Sequence, residues 1–268
     1  MHFKRIATAL VALPFFYFYI MKPPPVFFLA LLVLATGIAQ TEFHLMYKTD
    51  RSLAVPAVIC GSLLLFSAFL TDRYHFFGFS PTSSVIMFSI MLMLVIRLFT
   101  KKDPSSSLRD LAPALTGFLY IPVLMLSQWH LRLRGPEWII FLYGCVWASD
   151  SLALYIGTGI GKRKLYPEMS PKKTVEGAIA SVVGGMLSTL LLSYLFPSGL
   201  MSMTQWIVMG AVIGATTVVS DLAESMFKRD AGVKDSGGFI PGHGGILDKL
   251  DGSLFAGPVL YWMLFLML

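Results

Sequence analysis

Long apolar runs dominate the chain, and polar residues gather between them. The runs lack the alternating or 3.6-residue patterns of elements that face water on one side. Most are as long as the stretch of about 17–25 residues that a helix needs to cross a hydrocarbon core roughly 30 Å thick. The pattern predicts an all-α, polytopic integral membrane protein with about nine transmembrane helices, at approximately 6–21, 25–45, 53–70, 83–100, 111–129, 138–158, 177–196, 204–227 and 252–268.

The first run is short and follows Lys4 and Arg5, which is also how a signal peptide begins. No small-residue cleavage site follows it, and the sequence MKPPP at 21–25 is typical of a tight turn into the next span. A retained, tilted helix is therefore favoured over a cleaved leader.

The composition agrees with a membrane protein. Of 268 residues, 56% are hydrophobic and 13% are charged, whereas a soluble domain carries about 25% charged residues. Cys60 and Cys145 lie inside apolar runs without the spacing of a metal site or a disulfide framework, which predicts buried thiols. The net charge of +6 does not by itself indicate nucleic acid, because in a membrane protein the placement of cations is more informative than their sum. No nucleic-acid partner is expected.

The cations are distributed unequally between the two sides of the predicted spans. Sixteen of the 21 lysines and arginines fall in the N-terminus and the even-numbered loops, and four fall in the odd-numbered loops. Because cytosolic loops carry the excess of Lys and Arg, we expect a cytosolic N-terminus, an outside C-terminus and a place in the cell (inner) membrane. Function is not readable in the N-terminal spans, so we predict an N-terminal transmembrane region at 1–110 with about four spans. A catalytic region at 111–268 would carry the cytosolic loops 159–176 and 228–251.

Carboxylates lie within or beside the spans of this second region. Asp150 falls in the run at 138–158, and Asp221 and Glu224 precede the end of the run at 204–227. A carboxylate at membrane depth is costly unless it is paired, ligated or hydrated, so each is a candidate functional residue. A structural hydrogen bond to a neighbouring helix is the alternative for Asp150, and an ion pair with Lys228 four residues on is the alternative for Glu224.

Helical spacing brings several of these polar groups together. Asp221, Ser225 and Lys228 lie at i, i+4 and i+7, which is one face of a helix. Asp248 and Asp251 lie at i and i+3 and project together if a helix has begun there. Carboxylates that converge from two segments suit Mg²⁺, a hard cation that binds carboxylates, waters and substrate phosphates.

The segment between these acids is suited to anions. Five glycines occur in the twelve residues 234–245, and glycine lets the backbone turn its N–H groups toward a bound phosphate. His243 could hydrogen-bond a phosphate, shuttle a proton or stand in a turn. The earlier basic stretch at 157–164, GTGIGKRK, matches no nucleotide-loop template. Together with Lys172 and Lys173, it could bind a triphosphate or anionic lipid headgroups.

Residues 225–251, SMFKRDAGVKDSGGFIPGHGGILDKLD, resemble the signature of the phosphatidate cytidylyltransferases, also called CDP-diacylglycerol synthases. The signature has about a dozen constrained positions, and the resemblance extends over about 143–258. Lys249 is a departure, since the family usually has arginine there; the charge is kept, but bidentate phosphate binding is lost.

The resemblance implies transfer of CMP from CTP to phosphatidic acid, which yields CDP-diacylglycerol and pyrophosphate with the help of Mg²⁺, as one or two ions. It also implies a homodimer in the lipid bilayer, with the active site facing the cytosol. The expected metal ligands are Asp221, Asp248 and Asp251. The expected catalytic residues are Asp221, Lys228, Lys234, Asp248 and His243. The expected substrate-binding residues are Asp150, Lys172, Lys173, Ser225, Arg229, Asp235, Gly244, Gly245 and Lys249.

Other functions compete with this expectation. A CTP-dependent lipid kinase of the polyprenol or phytol type has related motifs but transfers the γ-phosphate and releases CDP. A cytidylyltransferase for ether lipids is a closer variant. A membrane transporter would also place carboxylates within spans, but it predicts paired interrupted helices in two related halves, and the polar residues here occur in one half only.

Overall fold

The computed structural model describes residues 14, 16–74, 80–238 and 244–267. Within these residues, eight helical segments are long and apolar enough to cross a membrane, and together they overlap the last eight predicted spans. The all-α, polytopic prediction is confirmed. The first predicted span lies mostly outside the described residues, although 16–21 are helical, so the count of nine stays a prediction.

The helices follow one another with short connections. In chain order they are α1 (Pro25–Met46), α2 (Arg51–Arg73), α3 (Pro81–Thr100), α4 (Ser107–Tyr120), α5 (Pro122–Arg134), α6 (Pro136–Ile160), α7 (Val175–Leu192, with a 3₁₀ turn at Ser193–Leu195), α8 (Met203–Asp230) and α9 (Leu247–Met267). Helices α4 and α5 form a single span that is interrupted at Pro122, because proline has no N–H to continue the hydrogen-bond ladder.

Local sequence sets several helix ends. Ser202 and Gln205 form a reciprocal capping box at the start of α8. The Thr174 hydroxyl caps α7 by accepting from the N–H of Gly177. Proline occupies the first turn of α1, α3, α5 and α6, where a missing N–H is harmless. These signals fix where the helices begin.

A small hairpin lies between α6 and α7, within the predicted loop 159–176, for which the sequence indicated no strand. Strands β1 (Lys164–Tyr166) and β2 (Ser170–Thr174) pair in antiparallel fashion, with Lys164 opposite Thr174. Strands this short, with one proline and three lysines between them, carry no strand pattern of their own. The pairing depends on its junction with α7, where Val175 N donates to Arg163 O.

Helices α7 and α8 approach each other closely through glycines. A Cβ on Gly185 would overlap the backbone of Gly210, and a Cβ on Gly210 would overlap the backbone of Gly185. Ser181 Oγ also donates to the carbonyl of Gly214 at 2.9 Å. Small residues allow such close approach of membrane helices, so this contact fixes the position of α8, which carries Asp221, against α7.

The ends of α1 and α8 meet the hairpin at one end of the bundle. Tyr47 Oη, just after α1, donates to Asp230 Oδ2 at 2.8 Å. Arg229 Nε donates to the carbonyl of Met169 in the hairpin at 3.2 Å. Burial and the neighbouring Asp230 carboxylate raise the pKa of Tyr47, so its hydroxyl remains a donor. The polar loops are thus gathered at this end.

Candidate functional site

Three carboxylates converge where α8 meets α9. Asp221 and Glu224 are one helical turn apart on α8, and Asp251 lies one turn into α9. One oxygen from each lies within 4.8 Å of the others. Ser220 joins the two helices at this level, because its hydroxyl donates to the main-chain oxygen of Asp251 and accepts from Phe255 N at 3.3 Å.

Glu224 gives this group the character of a cation site. Its side chain is fully buried, and within the described part of the chain it pairs with Lys228. Lys228 Nζ lies 2.5 Å from Glu224 Oε2, so the ion pair expected from the i, i+4 spacing is present. The ammonium groups of Lys228 and of Lys173, which pairs with Asp221, do not balance the three carboxylates. The oxygen-rich donor set therefore fits a hard divalent cation.

Asp248 lies next to this group and is fully engaged. Its Oδ1 accepts from Lys228 Nζ at 2.7 Å. Its Oδ2 accepts from Ser236 N at 3.0 Å, Ser236 Oγ at 2.9 Å and Gly245 N at 2.8 Å. The structure therefore places Asp248 between Lys228 and the segment at 234–245, called here the glycine-rich loop, of which 234–238 and 244–245 are described. Glu224, which was not expected to be a ligand, faces Asp221 and Asp251. The i, i+3 spacing of Asp221 and Glu224 was the available signal.

A cavity of about 250 Å³ opens beside Asp221, between α6, α7, α8 and the hairpin. Asp150, Lys172 and Lys173 line it, as does Asp221 itself. Lys173 Nζ lies 2.5 Å from Asp221 Oδ2. These residues were expected to bind substrate or metal, and the structure brings them to one cavity whose wall carries both acidic and basic side chains.

A residue of the N-terminal region also reaches the site. Glu42 of α1 is 6% exposed and accepts hydrogen bonds from Ile246 N at 3.0 Å and Leu247 N at 2.9 Å. Sequence reasoning missed it, although a carboxylate within an apolar run is the same signal that selected Asp150. The structure thus brings one residue of the region at 1–110 into contact with the start of α9.

The remaining expected residues have varied surroundings. Ser225 Oγ donates to Asp221 Oδ1 at 3.4 Å. Arg229 holds backbone carbonyls, including Val233 O at 3.0 Å. Gly244 has a positive φ of 84°, which glycine adopts without strain, and Gly245 donates its N–H to Asp248. Lys234, Asp235 and Lys249 are exposed, as is Arg229. His243 lies outside the described residues.

Comparison with known proteins gives consistent matches. A sequence model of the cytidylyltransferase family matches residues 3–267. A phosphatidate cytidylyltransferase from Bacillus subtilis is 32% identical over 97% of each chain. Proteins of the same name from Synechocystis and Haemophilus influenzae are 31% and 35% identical, over 90% and 69% of this chain and 89% and 68% of their own.

Proposed function

The chain belongs to the cytidylyltransferase family, and from that premise we propose that it is a phosphatidate cytidylyltransferase. It transfers CMP from CTP to phosphatidic acid and releases pyrophosphate, which makes CDP-diacylglycerol for phospholipid biosynthesis. The observation that carries this proposal within the molecule is the group of three converging carboxylates beside a lysine-lined cavity. Phosphoryl chemistry requires such a combination because it brings two polyanions together.

We propose Mg²⁺, as one or two ions, for the group formed by Asp221, Glu224 and Asp251. When bound, the cation would offset the triphosphate charge and stabilise negative charge on the leaving pyrophosphate. Asp248, expected from sequence to be a ligand, would act here by holding Lys228 beside Glu224. The ligand set is supported by the burial of the Glu224 carboxylate and by its position within 4.8 Å of oxygens of Asp221 and Asp251.

The reaction needs no nucleophilic side chain, because the phosphate monoester of phosphatidic acid is itself an anionic nucleophile. One of its oxygens forms a bond to the α-phosphorus of CTP. The bond from that phosphorus to the oxygen leading to the β-phosphorus breaks, and pyrophosphate leaves. Lys172 and Lys173 line the cavity and would hold phosphates there. Further proposed substrate contacts, taken from the resemblance, are Asp150, Ser225, Arg229, Lys234, Asp235, His243, Gly244, Gly245 and Lys249.

The membrane setting supports the choice of a lipid substrate. The chain is a multi-pass membrane protein, so the acyl tails of phosphatidic acid can remain in the bilayer while the headgroup reaches the polar end of the bundle. We propose that this end faces the cytosol, where CTP is available, in the cell (inner) membrane. The homodimer implied by the resemblance stays a prediction.

Incubation of the detergent-purified chain with phosphatidic acid, Mg²⁺ and CTP labelled at the α- or γ-phosphate tests the proposal. Labelled CDP-lipid is expected from α-labelled CTP, and labelled pyrophosphate from γ-labelled CTP. A lipid kinase would instead move the γ-label to the lipid, which would refute the assignment. Asp221→Asn should abolish turnover, whereas Asp103→Asn, in the exposed connection before α4, should leave it unchanged.

A further inference from the structure

We propose that Glu42 is a positioning residue for this reaction, although it lies in the N-terminal region that the motif does not include. It holds the glycine-rich loop against the start of α9. The loop in turn fixes Asp248 and Lys228 beside the three carboxylates. The proposal rests on the proposed function for the identity of the reaction. The contact between Glu42 and the loop does not depend on it.

The contacts of Glu42 are those of a helix cap supplied by a distant helix. Its Oε1 accepts from Ile246 N and its Oε2 accepts from Leu247 N, while Ser236 Oγ lies 3.4 Å from Oε2. The first N–H groups of a helix have no partner within the helix. A carboxylate satisfies them well, since these hydrogen bonds are charge-assisted and the helix dipole favours negative charge there. Glu42 therefore fixes where α9 begins.

The loop is shaped around this carboxylate. A Cβ built on Gly237 or Gly245 would lie closer to the Glu42 side chain than Cβ atoms of folded proteins approach other heavy atoms. The absence of a side chain at these two glycines leaves the space that the Glu42 carboxylate occupies. Glycine is therefore favoured at both positions because the loop backbone passes close to a residue of α1.

A continuous set of contacts joins Glu42 to the candidate metal site. Ser236 Oγ contacts Glu42 and also donates to Asp248 Oδ2. Asp248 Oδ1 accepts from Lys228 Nζ, which also pairs with Glu224. Release of the loop from Glu42 would therefore free Ser236 and Gly245, and with them the backbone donors that orient Asp248. Lys228 would then lose its second partner.

The same helix offers a matched structural control. Gln40 is fully buried on α1, two residues from Glu42, and donates from Nε2 to the Ala57 carbonyl of α2 at 2.9 Å. Its side-chain hydrogen bond joins α1 to α2, away from the loop. Substitution of Gln40 therefore measures the cost of losing a buried hydrogen bond of α1, and substitution of Glu42 adds the loss of the loop contacts.

The experiment compares Glu42→Gln and Gln40→Leu with the unmodified chain in detergent, by hydrogen exchange and by steady-state kinetics. Glutamine keeps the shape of the glutamate side chain. It replaces one carboxylate oxygen, an acceptor, by an amide NH₂ group, a donor that would face a backbone N–H. We expect Glu42→Gln to speed exchange of the 244–248 amides about tenfold or more and to lower kcat by about the same factor, because hydrogen bonds to a charged group are lost. Gln40→Leu should leave the exchange of these amides and kcat within about twofold of the unmodified chain, even if it lowers the unfolding temperature as much as Glu42→Gln does.

Unchanged loop exchange or unchanged kcat in Glu42→Gln would overturn the proposal, as would an equal loss of kcat in Gln40→Leu. If Glu42→Gln does not fold, Ser236→Ala provides the test, and it should change both readouts in the same direction but less. Unaltered exchange and kcat in Ser236→Ala would then refute the positioning role. If the unmodified chain makes no CDP-lipid, the proposed function fails, while the exchange comparison still decides whether Glu42 holds the loop.

Discussion

Replacement of Lys228 by methionine tests whether the site is as buried and as negative as the structure indicates. Methionine keeps the apolar stem and removes an ammonium that lies 2.7 Å from Asp248 Oδ1 and 2.5 Å from Glu224 Oε2. The side chains of Lys228 and Asp248 are each 12% exposed, and that of Glu224 is not exposed. The variant thus leaves two carboxylates without their cation, away from solvent.

The burial decides the expected magnitude. Removal of one partner from a buried ion pair costs about 3–5 kcal/mol, because the remaining charge is uncompensated, whereas an exposed pair is worth about 0–1 kcal/mol. For a chain of this size each kcal/mol shifts the unfolding midpoint by about 2–4 °C. We therefore expect Lys228→Met to lower the midpoint by roughly 6–20 °C when no divalent cation is present. The double variant Lys228→Met/Glu224→Gln should recover part of this loss, because it removes the buried charge.

Thermal unfolding in detergent, with and without Mg²⁺, measures these shifts, and Lys102→Met at an exposed position is the control. Added Mg²⁺ should raise the midpoint more in Lys228→Met than in the unmodified chain, since the cation replaces the missing ammonium. A decrease of less than about 1 kcal/mol in the free energy of unfolding of Lys228→Met would mean that solvent screens the ion pairs of Lys228. No recovery in the double variant would show that Glu224 is not the uncompensated charge. Either result would refute the reasoning.

Three further predictions concern the metal, the helix packing and the departure from the motif. Glu224→Gln should raise the Mg²⁺ concentration for half-maximal activity by about tenfold or more, measured by metal titration after chelation, because a metal ligand is lost. Gly185→Leu should destabilise the chain by about 1–3 kcal/mol or more, because α7 can no longer approach α8; Gly37→Leu, where a Cβ meets open space, is the matched control in an unfolding assay. Lys249→Arg should leave kcat/KM within about twofold, because Lys249 is exposed and both side chains keep the charge.

Part of the site could be predicted because its signals lie close together in the chain. Asp221 and Lys228 share a helical face, and the glycines at 237–245 lie between two acidic segments. In the structure Asp150, Lys173 and Asp221 line one cavity, and their expected roles toward substrate and metal stay predictions. For Asp248 the structure adds contacts that no spacing rule gives: its oxygens accept from Lys228 and from the backbone of Ser236 and Gly245. Its expected role as a metal ligand stays a prediction.

The sequence by itself determined the membrane spans and the fold class, because the thickness of the hydrocarbon core sets the length of an apolar run one segment at a time. The helix starts at Ser202 and Thr174 were also set by local sequence, since each cap joins residues three apart in the chain. Only the tertiary structure decided that Glu42 caps α9, across 204 and 205 residues of chain. That contact depends on how the α1 and α9 helices pack, and packing between apolar helices in lipid is set by the fit of their surfaces rather than by hydrophobicity, which lipid and protein share.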